Sequence, residues 1–379
     1  MKVETFIHTP GAGWSVEALP ALDAERTLVM AFGASGLFDA TAPIRDLADA
    51  FPRAHFIGCS TAGEIFGATI TDESLAAAVV QFEHTDLTTA LAPVQTAEDS
   101  YAAGQSIARQ LDRPTLRGVL VLSDGQRVNG SELVRGLNTV LPPSVVVTGG
   151  LAGDGDRFER TWVLKDGEPR GGYVSAVGFY GDRLHIGHGS KGGWDLFGIE
   201  RRVTRAEGNI LYELDGRPAL QLYKKYLGEQ AAGLPATALL FPLALRVDAS
   251  SDKSVVRTVL SVDEASQSMT FAGDISEGYL ARLMHANFDR LVDGASEAAL
   301  MARKGSDPTV PVLSIAISCV GRRLVLDERA EEELEATLDV LPAHAQQIGF
   351  YSYGEISPYA SGHCDLHNQT MTLTTIAEV

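Results

Sequence analysis

The chain has 379 residues, of which 45% are hydrophobic and 21% are charged, a composition typical of a globular protein long enough for two domains. Its formal net charge of −18 disfavours nucleic acid and anionic membrane surfaces as partners, because their phosphate groups would be repelled. Three cysteines without a CxxC pair, an N-terminus without a signal-peptide core and the lack of a membrane-spanning apolar run predict a soluble, cytoplasmic protein with reduced thiols.

The first predicted unit has the order strand, helix, strand and glycine-rich loop. "LVMAFGAS" is a buried strand, and a helix follows with Thr41 as its N-cap and Pro52 at its end. The helix carries an apolar stripe at Ile44, Leu47, Ala48 and Phe51. The next strand runs into "FIGCSTAGE", and "LAAAVVQFEH" predicts an added antiparallel strand.

The same order returns twice along the chain. In the second unit, "LRGVLVLSDG" is followed by a helix with Ser131 as its N-cap and then by "SVVVTGGLAGDGD". In the third, "VPVLSIAISCVG" is followed by the helix "LDERAEEELEATLDVLP" and by "QQIGFYSYGEISP". Added strands are predicted in "TWVLKDGEPRGGYVSAVGFYG", as a hairpin through "KDGEPRGG", and in "HNQTMTLTTIAEV".

A glycine followed by a carboxylate closes each unit at nearly constant spacing. Gly63, Gly153 and Gly354 follow the helix-ending prolines by 11, 11 and 12 residues. The acids that come next are Glu64, Asp154 and Glu355. We interpret the chain as mixed α/β (α+β), with two pseudo-repeated domains built from βαβ-type units and added antiparallel strands.

The middle of the chain holds the predicted domain boundary. A helix is predicted from Pro218 to Leu227 and ends at Gly228, and "GEQAAGLPAT" then has the composition of a linker. The predicted domains are therefore residues 1–228 and 229–379. "SVVRTVLSVDEASQSMTFAGD" predicts a hairpin that turns at "DEASQS"; its Ala-Gly-Asp lacks a preceding helix and is interpreted as a coincidence.

Several strings together resemble the FIST proteins over nearly the whole chain: "GCSTAGEI", "VLSDG", "GGLAGDG", "NILYELDGRPALQLY", "FAGDISEG" and "GFYSYGEISP…HNQT". The resemblance implies a FIST N region followed by a FIST C region. It also implies a sensory protein that binds a small ligand such as an amino acid. The signal would pass to a separate histidine kinase, cyclase or phosphodiesterase. Some bacterial members bind haem and report nitric oxide to a histidine kinase, which is the alternative function.

The candidate ligand site lies at the strand ends, where open α/β sheets gather their ligands. The candidate ligand-binding residues are Ser60, Thr61, Glu64, Ser123, Asp124, Asp154, Arg257, Tyr351, Tyr353 and Glu355. Two interpretations stay open for the acids: they hydrogen-bond a polar or ammonium group of the ligand, or they cap the backbone of their own turn. Arg257 is either a buried partner of an acid or of a ligand carboxylate, or a strand residue that reaches outward.

Catalysis, haem and metal leave weaker signals. Ser60 or Cys59 would serve a hydrolase, since "GCSTA" is close to the GxSxG elbow, but the helix precedes the strand and no base is evident, so we expect no enzyme. Haem is the only cofactor considered, and its candidate axial ligands are His185, His188 and His367, among which the sequence does not choose. A compact zinc site around His367 is not expected, because the neighbouring ligands lie too far apart on a strand.

Overall fold

A computed structural model describes residues 1–251, 253–305, 307, 309–359 and 362–379. The strands, numbered in chain order, are β1 (Lys2–Thr9), β2 (Gly13–Trp14), β3 (Thr27–Gly33), β4 (His55–Ser60), β5 (Glu64–Phe66), β6 (Thr69–Thr71), β7 (Leu75–Gln81), β8 (Asp86–Pro93), β9 (Leu116–Ser123), β10 (Val146–Leu151), β11 (Val163–Lys165), β12 (Glu168–Arg170), β13 (Tyr173–Tyr180), β14 (Leu184–Lys191), β15 (Asp195–Glu207), β16 (Ile210–Leu214), β17 (Arg217–Pro218), β18 (Leu243–Arg246), β19 (Val255–Arg257), β20 (Val259–Asp263), β21 (Ser268–Phe271), β22 (Leu280–His285), β23 (Leu313–Cys319), β24 (Gln346–Ser352), β25 (Gly354–Pro358), β26 (Cys364–His367) and β27 (Met371–Glu378). The α-helices are α1 (Ala42–Ala50), α2 (Ser100–Leu111), α3 (Gly130–Val140), α4 (Ala219–Leu227), α5 (Phe288–Arg303), α6 (Val320–Leu326) and α7 (Ala330–Val340). These elements confirm the mixed α/β class.

Three units of the same design build most of the molecule: unit 1 (β1–β7), unit 2 (β8–β13) and unit 3 (β14 with β23–β27). Each has two parallel strands joined through helix α1, α3 or α7: β3 with β4, β9 with β10, and β23 with β24. The last strand of each unit returns antiparallel to the first strand of that pair, as β7, β13 and β27. The predicted βαβ-type units with added antiparallel strands are thereby confirmed.

In each unit, the hairpin that follows the second parallel strand pairs with a strand in the sheet of another unit. Hairpin β5–β6, which follows β4, pairs with β24; β25–β26, which follows β24, pairs with β10; and β11–β12, which follows β10, pairs with β4. The predicted hairpin through "KDGEPRGG" is therefore only partly right. The turn at Asp166 and Gly167, both with positive φ, joins β11 to β12, whereas β13 pairs with β9 in the sheet of unit 2.

A common apolar core fills the space between the three sheets. It takes alternate residues from each sheet, such as Met30, Leu122 and Ile317. The rings of Phe32 and Phe350, from two different sheets, lie 4.9 Å apart. The outer faces pack against helices: α1 covers unit 1, α2 and α3 cover unit 2, and α5 and α7 cover unit 3. Because both faces are buried, the strands are continuous apolar runs in the sequence.

A separate substructure, residues 195–286, is inserted into unit 3 between β14 and α5. It contains β15–β22 and α4 around its own apolar core, which includes Tyr223 and Phe271. The predicted helix in this region is α4, with Pro218 at its N-cap and Gly228 at its C-cap. The predicted hairpin is the pair β20–β21. The proposed boundary after residue 228 falls inside this insertion, where β16 pairs with β21, and the division into 1–228 and 229–379 stays a prediction.

Two helix predictions are corrected. Helix α3 begins at Gly130, not after Ser131, because the side chain of Asn129 accepts a hydrogen bond from the Glu132 amide at 3.2 Å and so acts as the N-cap. The third unit has the additional helix α6 directly after β23, where the sequence predicts that the strand continues through Val320 and Gly321. Among the described residues, no helix is both long and apolar enough to cross a membrane.

Candidate functional site

The three glycine–acid loops meet where the three sheets exchange strands. The amide of Gly153 donates to the carbonyl of Ser60 at 3.0 Å, and the amide of Ala62 donates to the carbonyl of Tyr351 at 2.8 Å. The approach is close enough to demand glycine at Gly63, where φ is 133° and a Cβ would lie 2.5 Å from Arg323 Nη1. The repeated glycines therefore serve the contact between units.

Glu64 and Glu355 occupy equivalent places and are held by equivalent hydroxyls. Glu64 accepts hydrogen bonds from the Thr61 hydroxyl and from the amide and hydroxyl of Ser74, at 3.0 and 2.8 Å. Glu355 accepts from Ser352 Oγ at 2.7 Å and from the hydroxyl and amide of Thr370, at 2.9 and 3.3 Å. Burial raises the pKa of Glu64 to about 7 and that of Glu355 to about 8, although these hydrogen bonds oppose the shift.

Asp154, the third acid of the repeat, caps its own loop. Its carboxylate accepts from the amides of Phe158, Glu159 and Arg160, at 2.9, 2.8 and 2.8 Å, and from the hydroxyl of Tyr353. Burial is the largest influence on the pKa of Asp154 and raises it, but the hydrogen bonds from Tyr353 and the three amides together hold it below the ordinary value. The capping interpretation therefore describes what this acid contacts.

Asp124 repeats this arrangement after β9. Its Oδ1 accepts from the amides of Gln126 and Arg127 at 2.8 and 2.9 Å, and its Oδ2 accepts from the amide of Gly172 at 2.7 Å. Ser123 Oγ donates to the carbonyl of Asp124 at 3.2 Å. These two candidates therefore support the turn between β9 and α3.

The remaining hydroxyls and the thiol of the strand-end layer are buried. Ser60 Oγ accepts from the amide of Trp162 at 3.0 Å, and the Tyr351 hydroxyl donates to Glu333 at 2.8 Å. Burial raises the pKa of the Cys59 thiol. Neither Ser60 nor Cys59 lines the cavity of about 890 Å³ or the cavity of about 520 Å³ at the strand ends.

Arg257 joins the insertion to unit 3. Its guanidinium is buried and donates to the carbonyls of Asp274, Val256 and Leu366, at 3.0, 3.1 and 3.0 Å. Burial lowers the pKa of Arg257 to about 10. The interpretation that this side chain reaches outward is wrong, because carbonyls from both sides of the junction hold it inside.

A cavity of about 890 Å³ lies between the insertion and the strand ends of units 2 and 3. We call it the Asn368 cavity. Asn129 and Gly130, at the start of α3, form one wall. Tyr353 and Asn368 belong to unit 3, and the insertion contributes its 3-10 turns and the segments around Thr258 and Asp274. Of the ten candidate ligand-binding residues, only Tyr353 lines this cavity.

Two polar side chains of the Asn368 cavity are buried without a hydrogen-bond partner among the described residues. The side chain of Asn368 is on a residue with 0% exposure, and neither its Oδ1 nor its Nδ2 is bonded. Thr258, at 5% exposure, has an unbonded Oγ1. Buried polar groups normally have hydrogen-bond partners. These two side chains can therefore bond to a ligand in the cavity.

The other lining groups set the electrostatics of the cavity. Asp156 and Asp274 bring carboxylates, and Asn129 Nδ2 donates to Asp274 Oδ1 at 3.1 Å. Within the described part of the chain, no lysine, arginine or histidine lines the cavity. An anionic phosphate would therefore find negative charge and no cation, whereas a donor or an ammonium group would find acceptors.

The mouth of the cavity is apolar. Phe158 stacks on Tyr353 with ring centroids 4.6 Å apart and planes 17° from parallel. Phe158, Leu260 and Leu324 are exposed by 51%, 47% and 49%, and all three line the cavity. Large apolar side chains exposed around one opening are typical of a binding surface.

A second, smaller cavity of about 520 Å³ lies at the strand ends of unit 1. Thr61 and Glu64 line it, together with Asp72 and Arg157. Glu64 and Thr61 already bond to each other, and Arg157 donates to Ser35 Oγ at 3.1 Å. This cavity therefore has fewer unsatisfied groups to offer a ligand than the Asn368 cavity.

Apart from Tyr353, the residues that line the Asn368 cavity were not predicted from the sequence. Asp274 belongs to the "FAGD" interpreted as a coincidence, but it lines the cavity and accepts a hydrogen bond from Asn129. Asn368 stands in "HNQT", directly before β27. The sequence contained one usable signal, the second Ala-Gly-Asp, but nothing in it places the insertion over the strand ends.

The three histidines predicted as haem ligands lie away from the two cavities at the strand ends. His367 is fully buried with Nε2 3.0 Å from the carbonyl of Ser357, and burial lowers its pKa to about 4. His185 and His188 lie three positions apart on β14, and side chains at odd separation point to opposite faces of a strand. None of the three lines either cavity at the strand ends.

Comparisons with known proteins agree with the resemblance in the sequence. A model of the FIST N domain matches residues 27–217, and a model of the FIST C domain matches residues 219–358. An uncharacterized protein of Methanocaldococcus jannaschii is 27% identical in an alignment of 244 positions that covers 56% of this chain and 45% of that protein. The chain thus matches less than half the length of that relative. The crystal structure of cyanuric acid hydrolase from A. caulinodans aligns over 100% of this chain and 98% of its own, at 11% identity and a TM-score of 0.34, which is too low to bear on function.

Proposed function

The chain belongs to the FIST family of sensory domains, and on this premise we propose that it binds a small, amino-acid-like ligand in the Asn368 cavity and signals through a separate partner protein. The observation that carries the proposal is the buried, unbonded carboxamide of Asn368. An unsatisfied buried polar group costs about 1–3 kcal/mol, so a ligand that bonds to it recovers that free energy on binding.

The walls of the cavity offer the groups that an amino acid requires. Asp274 supplies carboxylate oxygens for an ammonium group. Gly130 is the first residue of α3, and the amide groups of a first helical turn suit a carboxylate. The apolar mouth with Phe158 suits a side chain. This combination of separate acceptor, donor and apolar regions supports a zwitterionic ligand of small size.

A thermal-shift screen of the twenty amino acids against the purified chain tests the proposal. Ligand at 100 times its Kd stabilises the folded state by about 2.7 kcal/mol, which moves the midpoint by several degrees. We expect Leu239→Trp, which places a large ring in the cavity wall, to abolish the shift. Ser35→Ala, in the second cavity, should leave it unchanged. A wild-type protein that no amino acid shifts, or a shift that survives Leu239→Trp, would rule out this site.

Signalling through a partner follows from the same proposal. The partner would be a histidine kinase or a cyclase or phosphodiesterase, and the chain itself would not be an enzyme. The test is the activity of such a purified enzyme with and without this chain and its amino acid; an effect that needs both supports the proposal. None of the three histidines of the haem alternative lines either cavity at the strand ends, and a Soret band that disappears in one of His185→Ala, His188→Ala or His367→Ala would support that alternative.

A further inference from the structure

Asn368 lines the cavity, and its backbone is held in a fixed position. Two residues before it, the carbonyl of Leu366 accepts from Arg257 at 3.0 Å. One residue after it, the carbonyl of Gln369 accepts from Trp194 Nε1 at 2.7 Å. The backbone is thus held on both sides, while the acceptor Oδ1 and the donor Nδ2 of the side chain remain unbonded side by side.

We propose that the ligand carries an amide edge, an N–H donor beside a carbonyl acceptor, which forms two parallel hydrogen bonds with Asn368. This inference rests on the proposed function and specifies the group that the ligand places against this wall. The pairing is the complement of the Asn368 side chain, because an amide is the small neutral group that offers one donor and one acceptor at matching separation. A carboxylate in its place would set acceptor against acceptor and leave Nδ2 as the single partner.

The rest of the cavity favours the same choice. The carboxylates of Asp156 and Asp274 disfavour a ligand carboxylate next to Asn368, because no cationic side chain among the described residues lines the cavity to neutralise it. The stacked rings of Phe158 and Tyr353 provide a flat apolar surface for a planar group. A primary carboxamide, as in glutamine, and a cyclic amide, as in uracil, both present this edge.

Isothermal titration with matched pairs of compounds tests the amide edge. L-glutamine is compared with L-glutamate, which has the same shape but no donor at that end. Uracil is compared with 1,3-dimethyluracil, which lacks both N–H donors. We expect at least one amide compound to bind and its matched analogue to bind at least about tenfold more weakly, since buried polar groups left unpaired discriminate strongly. The pair that shows the difference identifies whether the amide is a side chain or a ring.

Two variants attribute this selectivity to Asn368. Asn368→Leu keeps the volume and removes the edge, so the ratio of the two dissociation constants should fall toward one. Asn368→Asp keeps the shape and offers acceptors only, so it should weaken the amide compound roughly tenfold or more. The control is Gln347→Leu, which removes a buried carboxamide that is fully bonded to Gly67, Ser314 and Thr337 and lies outside the cavity. Its ratio should equal that of the wild type.

Each result separates the two proposals. If amino acids shift the wild type but not Leu239→Trp, yet amide and analogue bind equally, the proposed function stands and the amide edge is wrong. The amide edge is also wrong if none of the amide compounds binds, or if Asn368→Leu retains the selectivity. If no amino acid shifts the wild type, the proposed function falls, and binding of uracil alone would then support an amide edge on a ligand of another class.

Discussion

The glycine–acid loops and the Asn368 wall are both made of polar residues buried at strand ends, but only the loops are complete. Glu64 and Glu355 each bond to a hydroxyl of their own loop and to the hydroxyl and amide of a residue just before β7 or β27. Asn368 has no such partner within the described residues. The repeated acids are bonded within the repeat three times, whereas the unsatisfied amide lines the cavity between the repeat and the insertion. In this molecule a recurring pattern marks architecture, and the ligand site is sought where the pattern is interrupted.

The largest effect is expected from Arg322→Leu, which removes one partner from a set of buried polar groups that are all hydrogen-bonded. Arg322 and Glu333 form an ion pair that is fully buried, and Glu333 also accepts from Ser318 and Tyr351. Removal of the arginine leaves a buried carboxylate without its cation, which typically costs 3–5 kcal/mol. Urea unfolding should therefore show a loss of about that size in the free energy of unfolding. The double variant Arg322→Leu with Glu333→Leu should recover part of it, and no loss in the single variant would contradict this account.

The loop acids predict a dependence of stability on pH. Glu64 and Glu355 have folded-state pKa values of about 7 and about 8, above the ordinary 4.5 of the unfolded chain. Because the folded state then holds more protons, the free energy of unfolding should fall as the pH rises from about 5 to about 8, by an amount on the order of a few kcal/mol.

Glu355→Gln isolates this effect. Glutamine stays neutral, so the variant should lose much of the decrease in stability between pH 5 and pH 8. Asp154, whose pKa is lowered, acts with the opposite sign and should lose its stabilising effect only as the pH falls through its folded-state value. If the free energy of unfolding of Glu355→Gln changed with pH as that of the wild type does, Glu355 would not be protonated as proposed.

A pair of amides measures the difference between a satisfied and an unsatisfied group. Gln347→Leu removes a carboxamide that bonds to Ser314, Thr337 and Gly67, so it strands partners and should cost about 1–3 kcal/mol. Asn368→Leu leaves no partner unbonded. The free energy of unfolding of the ligand-free variant should therefore be within about 0.5 kcal/mol of the wild-type value, or higher. Equal losses in urea would indicate that Asn368 has a partner even without ligand.

The three repeated units could be predicted from the sequence, but the exchange of hairpins between sheets and the Asn368 cavity could not. Pro52 and Gly63 have counterparts in the other units, and their constant spacing was enough to predict three βαβ-type units. The exchange of hairpins between sheets was not predictable, because β11 pairs with β4 across more than a hundred residues and short strands carry no register signal. The site was missed for the same reason: Asn368 and Thr258 become neighbours of one cavity only through tertiary contacts.

The smallest expected effect concerns the junction between the insertion and α3. Asn129 caps α3 and also donates to Asp274, whereas Ser131 Oγ only accepts from the amide of Asp274 at 3.2 Å. Asn129→Ala should therefore lower the free energy of unfolding by about 1 kcal/mol through the lost cap, and Ser131→Ala by less.

Both variants remove a contact with Asp274 in the wall of the Asn368 cavity, so both should lower the affinity for an amino acid that binds there. Because only the first removes a cap, the ratio of lost stability to lost affinity should be larger for Asn129→Ala. Equal ratios in thermal unfolding and titration would mean that the contact with Asp274, not the cap, carries the stabilising effect of Asn129.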